Sequence, residues 1–178
     1  MTITKINPRV YIYYLNLDKN DPEYASCLWA QFVFNCDTGT LNINSDAGDY
    51  SYRWGYNEHE DFMHLMGRIN KDYLLNKISD RTVFCLKESI QETIKAIEQN
   101  GFECYGIESE EDWQEIKQDL LNLKVYSEEL FFDEVDSIVP DIDWESIYVE
   151  KDYPRGAKVV CDLFETYLLP MLKEEFGG

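Results

Sequence analysis

The sequence predicts an α+β protein, with an N-terminal antiparallel β-sheet of three to four strands followed by packed α-helices. Three observations carry this reading. Apolar and polar residues alternate through the first third of the chain, the period lengthens to that of a helix from Glu60, and turn or stop chemistry falls at the changes between segments.

Taken in order, Val10-Tyr-Ile-Tyr-Tyr-Leu15 is a β-branched and aromatic run, and Asp18-Lys-Asn-Asp-Pro22 closes it with turn chemistry. Trp29, Gln31, Val33 and Asn35 alternate with Ala30, Phe32 and Phe34, after which Asp37-Thr-Gly39 signals a hairpin into Leu41-Asn-Ile43-Asn. Gly48 introduces Asp49-Tyr-Ser-Tyr-Arg-Trp54, a strand with Tyr50, Tyr52 and Trp54 on one face and Ser51 and Arg53 on the other. Phe62, Leu65, Met66 and Ile69 then recur at helical intervals, and a second short segment surrounds Tyr73, Leu74 and Ile78. A longer helix is expected from about Phe84 to Gln99, with Leu86, Ile90, Ile94 and Ile97 on one stripe and Asn100-Gly101 as its stop.

Another helix opens at Ser109, where Ser109-Glu-Glu-Asp112 makes a loose capping box with Asp at its fourth position. Its apolar stripe is Trp113, Ile116, Leu120 and Leu123, and Glu108, Glu111, Glu115 and Asp119 fall on a different face. Beyond Ser127 acidic and apolar residues interleave through Asp136. Read as extended chain, Asp141, Asp143 and Glu145 share one side while Ile142 and Trp144 occupy the other. Tyr153-Pro-Arg-Gly156 reads as a turn. A closing helix from about Ala157 presents Val160, Leu163, Phe164, Tyr167 and Leu168 until Pro170 kinks or ends it.

A length of 178 residues fits a single domain, 1–178, made of a sheet region (1–57), helices (58–102) and an acidic, mainly helical part (103–178). With 44% hydrophobic and 15% aromatic residues the chain has too much apolar surface for a disordered polyanion. No apolar run approaches the roughly 20 residues of a membrane helix. Met1 to Val10 also lacks the basic and apolar regions of a signal peptide, so a cytoplasmic location in a bacterial cell is expected. Cys27, Cys36, Cys85, Cys104 and Cys161 are widely spaced with no C-x-x-C pair, the pattern of thiols in a reducing compartment.

The charge is lopsided. Sixteen of the 35 carboxylates lie between Glu103 and Glu150, opposed only by Lys117 and Lys124, so this stretch carries a formal −14 of the chain's −19. Such a field repels nucleic acid and acidic membranes and attracts a cationic surface that normally holds phosphates. A solvated face that confers solubility is the ordinary meaning of a charge run. Arrangement favours recognition here. Carboxylates four apart on a helix lie ~6 Å apart along its axis, and duplex DNA carries a charge every ~3.4 Å per strand, so the charge densities are of the same order. Phe131, Phe132, Trp144 and Tyr148 lie among the acids as apolar anchors. The candidate partner-binding residues are Glu108, Glu111, Glu115, Asp119, Asp133, Asp136, Asp141, Asp143 and Trp144.

Catalytic signatures are weak by comparison. His59 and His64 are five apart, whereas H-E-x-x-H needs four to place both imidazoles on one helical face. Asp141-x-Asp143-x-Glu145 offers hard oxygen ligands, but an EF-hand begun at Asp141 would put Ser146 where the turn requires Gly. Glu115-Ile-Lys117 precedes Pro140-Asp141, the reverse of the order in nucleases that pair an Asp with a later Glu-x-Lys, and phosphate-binding Gly-rich loops are absent. No cofactor, metal or enzymatic activity is expected. Arg53, Arg68, Lys71, Lys77 and Arg81 form the densest basic region, and Glu58, Glu60, Asp61, Asp72 and Asp80 neutralise it, which disfavours direct nucleic-acid binding.

Ser45-Asp-Ala-Gly-Asp-Tyr-Ser-Tyr-Arg-Trp-Gly55, followed by Asp61-Phe62 and Asn70-Lys-Asp-Tyr-Leu-Leu-Asn-Lys77, resembles a segment of small accessory proteins of bacteriophages and prophages. In those, a G-D-Y-S-Y-R-W-G strand precedes a helix and a D-Y-L-x-x-K element. The likeness spans about Leu41 to Ile78. Within it, Arg53 reads as a structural residue paired with a carboxylate. Small, strongly acidic mobile-element proteins are similar in kind to anti-restriction and anti-CRISPR inhibitors. The resemblance therefore implies a stoichiometric inhibitor whose partner is a basic nucleic-acid-binding protein, such as Cas9 or another defence nuclease. A phage enzyme that modifies a nucleotide or guide, and an acidic protein-binding module without DNA mimicry, are the alternatives.

Overall fold

The structure is a computed structural model that describes residues 7–55 and 61–177. In chain order the strands β1 (Val10–Asn16), β2 (Trp29–Asn35), β3 (Thr40–Ser45) and β4 (Tyr50–Arg53) precede helices α1 (Phe62–Arg68) and α2 (Lys71–Ile78). Next come a two-residue strand β5 (Val83–Phe84), α3 (Leu86–Asn100), α4 (Glu110–Leu121), α5 (Glu128–Ile138) and a second short strand β6 (Lys151–Asp152). The chain closes with α6 (Arg155–Leu163), one π-helical segment (Phe164–Leu168) and α7 (Leu169–Phe176). This is the α+β fold that the alternation predicts, with four strands in the sheet.

The described residues divide into two compact units. The first comprises Met1–Asp80 and Tyr153–Gly178, and the second Arg81–Asp152. In the first unit an antiparallel meander, β1-β2-β3-β4, turns one face inward. Ala30, Phe32 and Phe34 of β2 and Leu41 and Ile43 of β3 are buried, because successive side chains of a strand point to opposite faces. Helices α1, α2, α6 and α7 cover that face with Phe62, Met63, Met66, Leu74, Val160, Leu163 and Leu172. Phe32 meets Phe164 at 6.2 Å, and Phe34 meets Phe62 at 6.3 Å. Asp61 and Asn70 cap α1 and α2 by accepting from Met63 N–H (2.9 Å) and Tyr73 N–H (2.8 Å).

The second unit has its own core of Ile90, Ile94 and Ile97 from α3, Trp113 and Leu120 from α4, and Phe131, Val135 and Val139 in and after α5. Two buried hydroxyls one turn apart on α3 tie down the returning chain. Ser89 Oγ accepts from Glu150 N–H at 2.8 Å, and Thr93 Oγ1 from Tyr148 N–H at 3.0 Å. The β5–β6 ladder pairs Val83 with Asp152 and Phe84 with Lys151 at the two ends of the unit. Gly101, at φ +86°, stops α3 as the sequence predicts.

Four local expectations are corrected. The long helix begins at Leu86, because Phe84 is taken into the β5–β6 ladder. Asp141 to Glu145 is not extended: Asp141 has φ +50° and Trp144–Ser146 forms a 3-10 turn, so Ile142 is buried while Trp144 faces out. Tyr153 to Gly156 is not a free turn, since Pro154 caps α6 and Gly156 lies in its first turn against the carbonyl of Ala47. Pro170 does not end the closing helix. The preceding segment widens to an i→i−5 bond from Leu169 N–H to Phe164 O, and Pro170 is placed at the start of α7, where its missing N–H costs least.

Candidate functional site

The second unit contains 20 of the chain's 35 carboxylates against six of its 16 basic side chains, a formal −14 over 72 residues. Two capped helices display much of it. Ser109 Oγ accepts from Asp112 N–H (3.1 Å) at the start of α4, and Ser127 Oγ from Leu130 N–H (3.3 Å) at the start of α5. The capping box is one-sided, because Ser109 Oγ donates to the Asp112 carboxylate (2.7 Å). Glu110, Glu111 and Asp112 in the first turn of α4, and Glu128 and Glu129 in that of α5, stabilise the positive ends of the helix dipoles. Part of the acidity therefore has a folding role.

The remainder follows from helical periodicity. With Trp113 and Leu120 buried, Glu111 and Glu115 fall opposite the core face of α4 and Asp119 on its flank. With Phe131 and Val135 buried, Glu129, Asp133 and Asp136 fall opposite the core face of α5. All eight predicted carboxylates, Glu108, Glu111, Glu115, Asp119, Asp133, Asp136, Asp141 and Asp143, are exposed. Among the described residues none of the eight forms an ion pair. Ion pairs within the second unit include Lys95 with Glu92 (2.7 Å), Lys117 with Glu98 (2.5 Å) and Lys151 with Glu128 (2.8 Å).

Two of the predicted residues also lie against the backbone. Asp143 Oδ1 accepts from Ser146 N–H (2.9 Å) and so caps the 3-10 turn, while Asp141 lies beside Gly106. Trp144 is 66% exposed and stacks on Phe132 at 5.1 Å with 23° between the planes, so an aromatic pair stands within the acidic surface. Phe131 is fully buried and is not available as an anchor, whereas Tyr148 is exposed. Sequence reasoning missed Tyr126, 91% exposed, and Leu130, because neither breaks an apolar stripe until the limits of α5 are known. Tyr126 and Ser127 to Glu129 line an open cleft of about 470 Å³ with Thr82 and Phe84.

The phage-like segment of the first unit does architectural work. Asp46 accepts from the Cys27 thiol (2.9 Å) and from Leu28 N–H (2.9 Å), and these bonds, the thiol's foremost, hold its carboxyl below the usual carboxylate range. Trp54 Nε1 donates to Tyr73 OH (3.1 Å), and Lys77 lies over the rings of Tyr52 (5.4 Å) and Tyr73 (5.3 Å). Arg53 Nε donates to the Thr38 carbonyl (3.2 Å), a backbone partner where the sequence suggested a carboxylate. Lys71 pairs with Asp162. These bases are committed to internal contacts.

No described residues bring three His, Cys, Asp or Glu side chains together as metal ligands. His64 is exposed on α1, and His59 lies outside the described residues. No cysteine forms a disulfide. Among the described residues no helix is long and apolar enough to cross a membrane.

No curated protein and no solved structure matches the chain. Residues 1–174 match one family of known sequences, described as a phage family. That span covers both units and extends far beyond the segment from Leu41 to Ile78, and on it the chain belongs to this family of phage proteins.

Proposed function

We propose that the protein is an anti-defence factor that acts in the host bacterial cytoplasm as a stoichiometric inhibitor. Its acidic second unit occupies the nucleic-acid channel of a defence nuclease, such as a CRISPR-Cas effector, and it performs no catalysis itself. The observation that carries the reading is the concentration of a formal −14 in one unit, with eight exposed carboxylates that form no ion pair among the described residues and an exposed Trp144 stacked on Phe132. Glu111, Glu115, Asp119, Asp133 and Asp136 stand in for phosphates along a backbone-binding groove, with Glu108, Asp141 and Asp143 extending the field. Trp144, backed by Phe132, supplies the desolvated contact that long-range charge alone does not. Phage membership agrees with this role, since a phage gains from disabling a nuclease that attacks its genome.

The test begins with capture from lysate of the phage-exposed host at low and high salt. Any captured nuclease is then assayed with the inhibitor titrated against it. The proposal expects a nuclease that elutes with salt or competing DNA, an inhibition end point near one inhibitor per enzyme, and loss of inhibition when Glu111, Glu115 and Asp133 are changed to Lys. Arg53→Ala should leave inhibition intact. Inhibition at sub-stoichiometric amounts would instead establish an enzyme, and inhibition indifferent to salt and DNA would establish an acidic protein binder without mimicry.

A further inference from the structure

The edge of the sheet carries an inference that does not depend on the acidic unit. Strand β1 is the outer strand of β1-β2-β3-β4, and among the described residues only β2 pairs with it. Leu17 N–H donates to Leu28 O and Cys36 N–H to Arg9 O, both at 2.9 Å, which sets the phase of the β1–β2 ladder. Odd-numbered residues of β1 therefore turn their N–H and C=O toward β2. Val10, Ile12, Tyr14 and Asn16 turn theirs to the open edge.

The same even-numbered residues put their side chains on the outer face of the sheet, where Val10 is 39%, Ile12 60% and Tyr14 61% exposed. Tyr14 is held there by stacking on Trp29, 6.1 Å away and 13° from parallel. Val10-Tyr-Ile-Tyr-Tyr-Leu-Asn16 contains no Asp, Glu, Lys, Arg, Pro or Gly in a chain that is 29% charged. Natural edges are guarded by charges, Pro or bulges, and this one has none of those guards.

We propose that this edge is a homodimer interface, in which β1 pairs antiparallel with β1 of a second copy to give an eight-stranded sheet. One two-fold register uses every open backbone group. It sets Val10 opposite Asn16 and Ile12 opposite Tyr14, with the axis at Tyr13, so four pairs each exchange two hydrogen bonds. That register also puts Ile12 beside Tyr14 on the outer face, a β-branched and aromatic pair of the kind that stabilises sheets. A second copy fits better than a foreign peptide because the strand is complementary to itself. The pairing also sets no like charges opposite each other, although each copy carries −19. The join lies in the unit of formal −5, away in sequence from the unit of −14.

Sedimentation velocity of the purified chain at tens of micromolar tests the assignment. The expected species has twice the 21.0 kDa of the chain, and its dissociation constant falls as salt screens the repulsion between copies, opposite in sign to the salt response of channel blocking. Tyr14→Pro removes an N–H that β2 does not use, so the fold is kept, as circular dichroism would show, while the dimer weakens by at least about tenfold. Ile12→Lys, on the exposed face, should do the same. A monomeric wild-type chain overturns the proposal, as does a dimer that survives both substitutions. A monomer that takes up an added strand-forming peptide would show that the edge serves a foreign partner.

Discussion

A Cβ built on Gly156 would stand 2.0 Å from the carbonyl oxygen of Ala47 and 2.7 Å from the hydroxyl of Tyr50. The first neighbour is backbone and cannot swing aside. Gly156→Ala should therefore force α6 off the loop between β3 and β4 and cost about 3 kcal/mol of stability in denaturant unfolding. Gly55→Ala, which meets nothing within 4 Å among the described residues, should change it by less than about 0.5 kcal/mol. Asp46 gives a second test at this scale. Its carboxyl titrates lower in the folded chain than in the unfolded one, chiefly because the Cys27 thiol donates to it. The stabilisation is present above the unfolded value near 3.9 and fades as pH falls through the lower folded value. Asp46→Asn should flatten the acid limb of a stability profile below about pH 4, and an unchanged limb would remove Asp46 from the account. Burial pushes the thiol of Cys27 up to about 11 and that of Cys161 up to about 12, so both stay protonated at neutral pH.

Elements were legible where one local rule decided them. The alternation of Phe32 and Phe34 with Val33 reports a strand without further help, and the Ser109 cap with its Trp113–Leu120 stripe reports a helix. Ser109→Ala and Ser127→Ala should each cost ~1 kcal/mol and add, because each hydroxyl holds the first turn of a different helix. Chemical denaturation of the singles and the double measures both statements. What the sequence hid depended on distant partners. Asp141 takes a positive φ beside Gly106, 35 residues earlier, and that turn decides that Ile142 goes in and Trp144 goes out. Pro170 is tolerated only because the helix widens ahead of it, which no propensity signals. For the candidate surface, the eight carboxylates were readable as exposed from composition and period, but the Phe132–Trp144 stack joins two elements and was not.

At the scale of the whole molecule, charge is partitioned between units, not spread over a surface. The 72 residues of Arg81–Asp152 hold a formal −14 against −5 for the remaining 106. Self-repulsion at that density opposes compactness, so added salt should raise the thermal midpoint of the isolated protein even as it weakens binding to a basic target. A midpoint that is flat or falls with salt would mean that the acids are already compensated in the folded chain.

The second unit is also an insertion. The chain leaves the first unit after Asp80, and the ends of the inserted segment are clasped by the β5–β6 ladder, with Thr82 N–H donating to Asp152 O at 3.0 Å. The chain then re-enters the first unit at Tyr153. Synthesis proceeds in one direction, so the acidic segment is complete before α6 and α7 exist. The sheet must wait half covered, with α1 and α2 in place but Phe32 still without Phe164 and the helices that follow the insertion. Nascent chains thus pass through a stage in which a polyanionic unit is already formed and an apolar sheet face is only partly covered. The negative charge that suits the finished protein to a basic partner would then also keep its unfinished copies apart on the polysome.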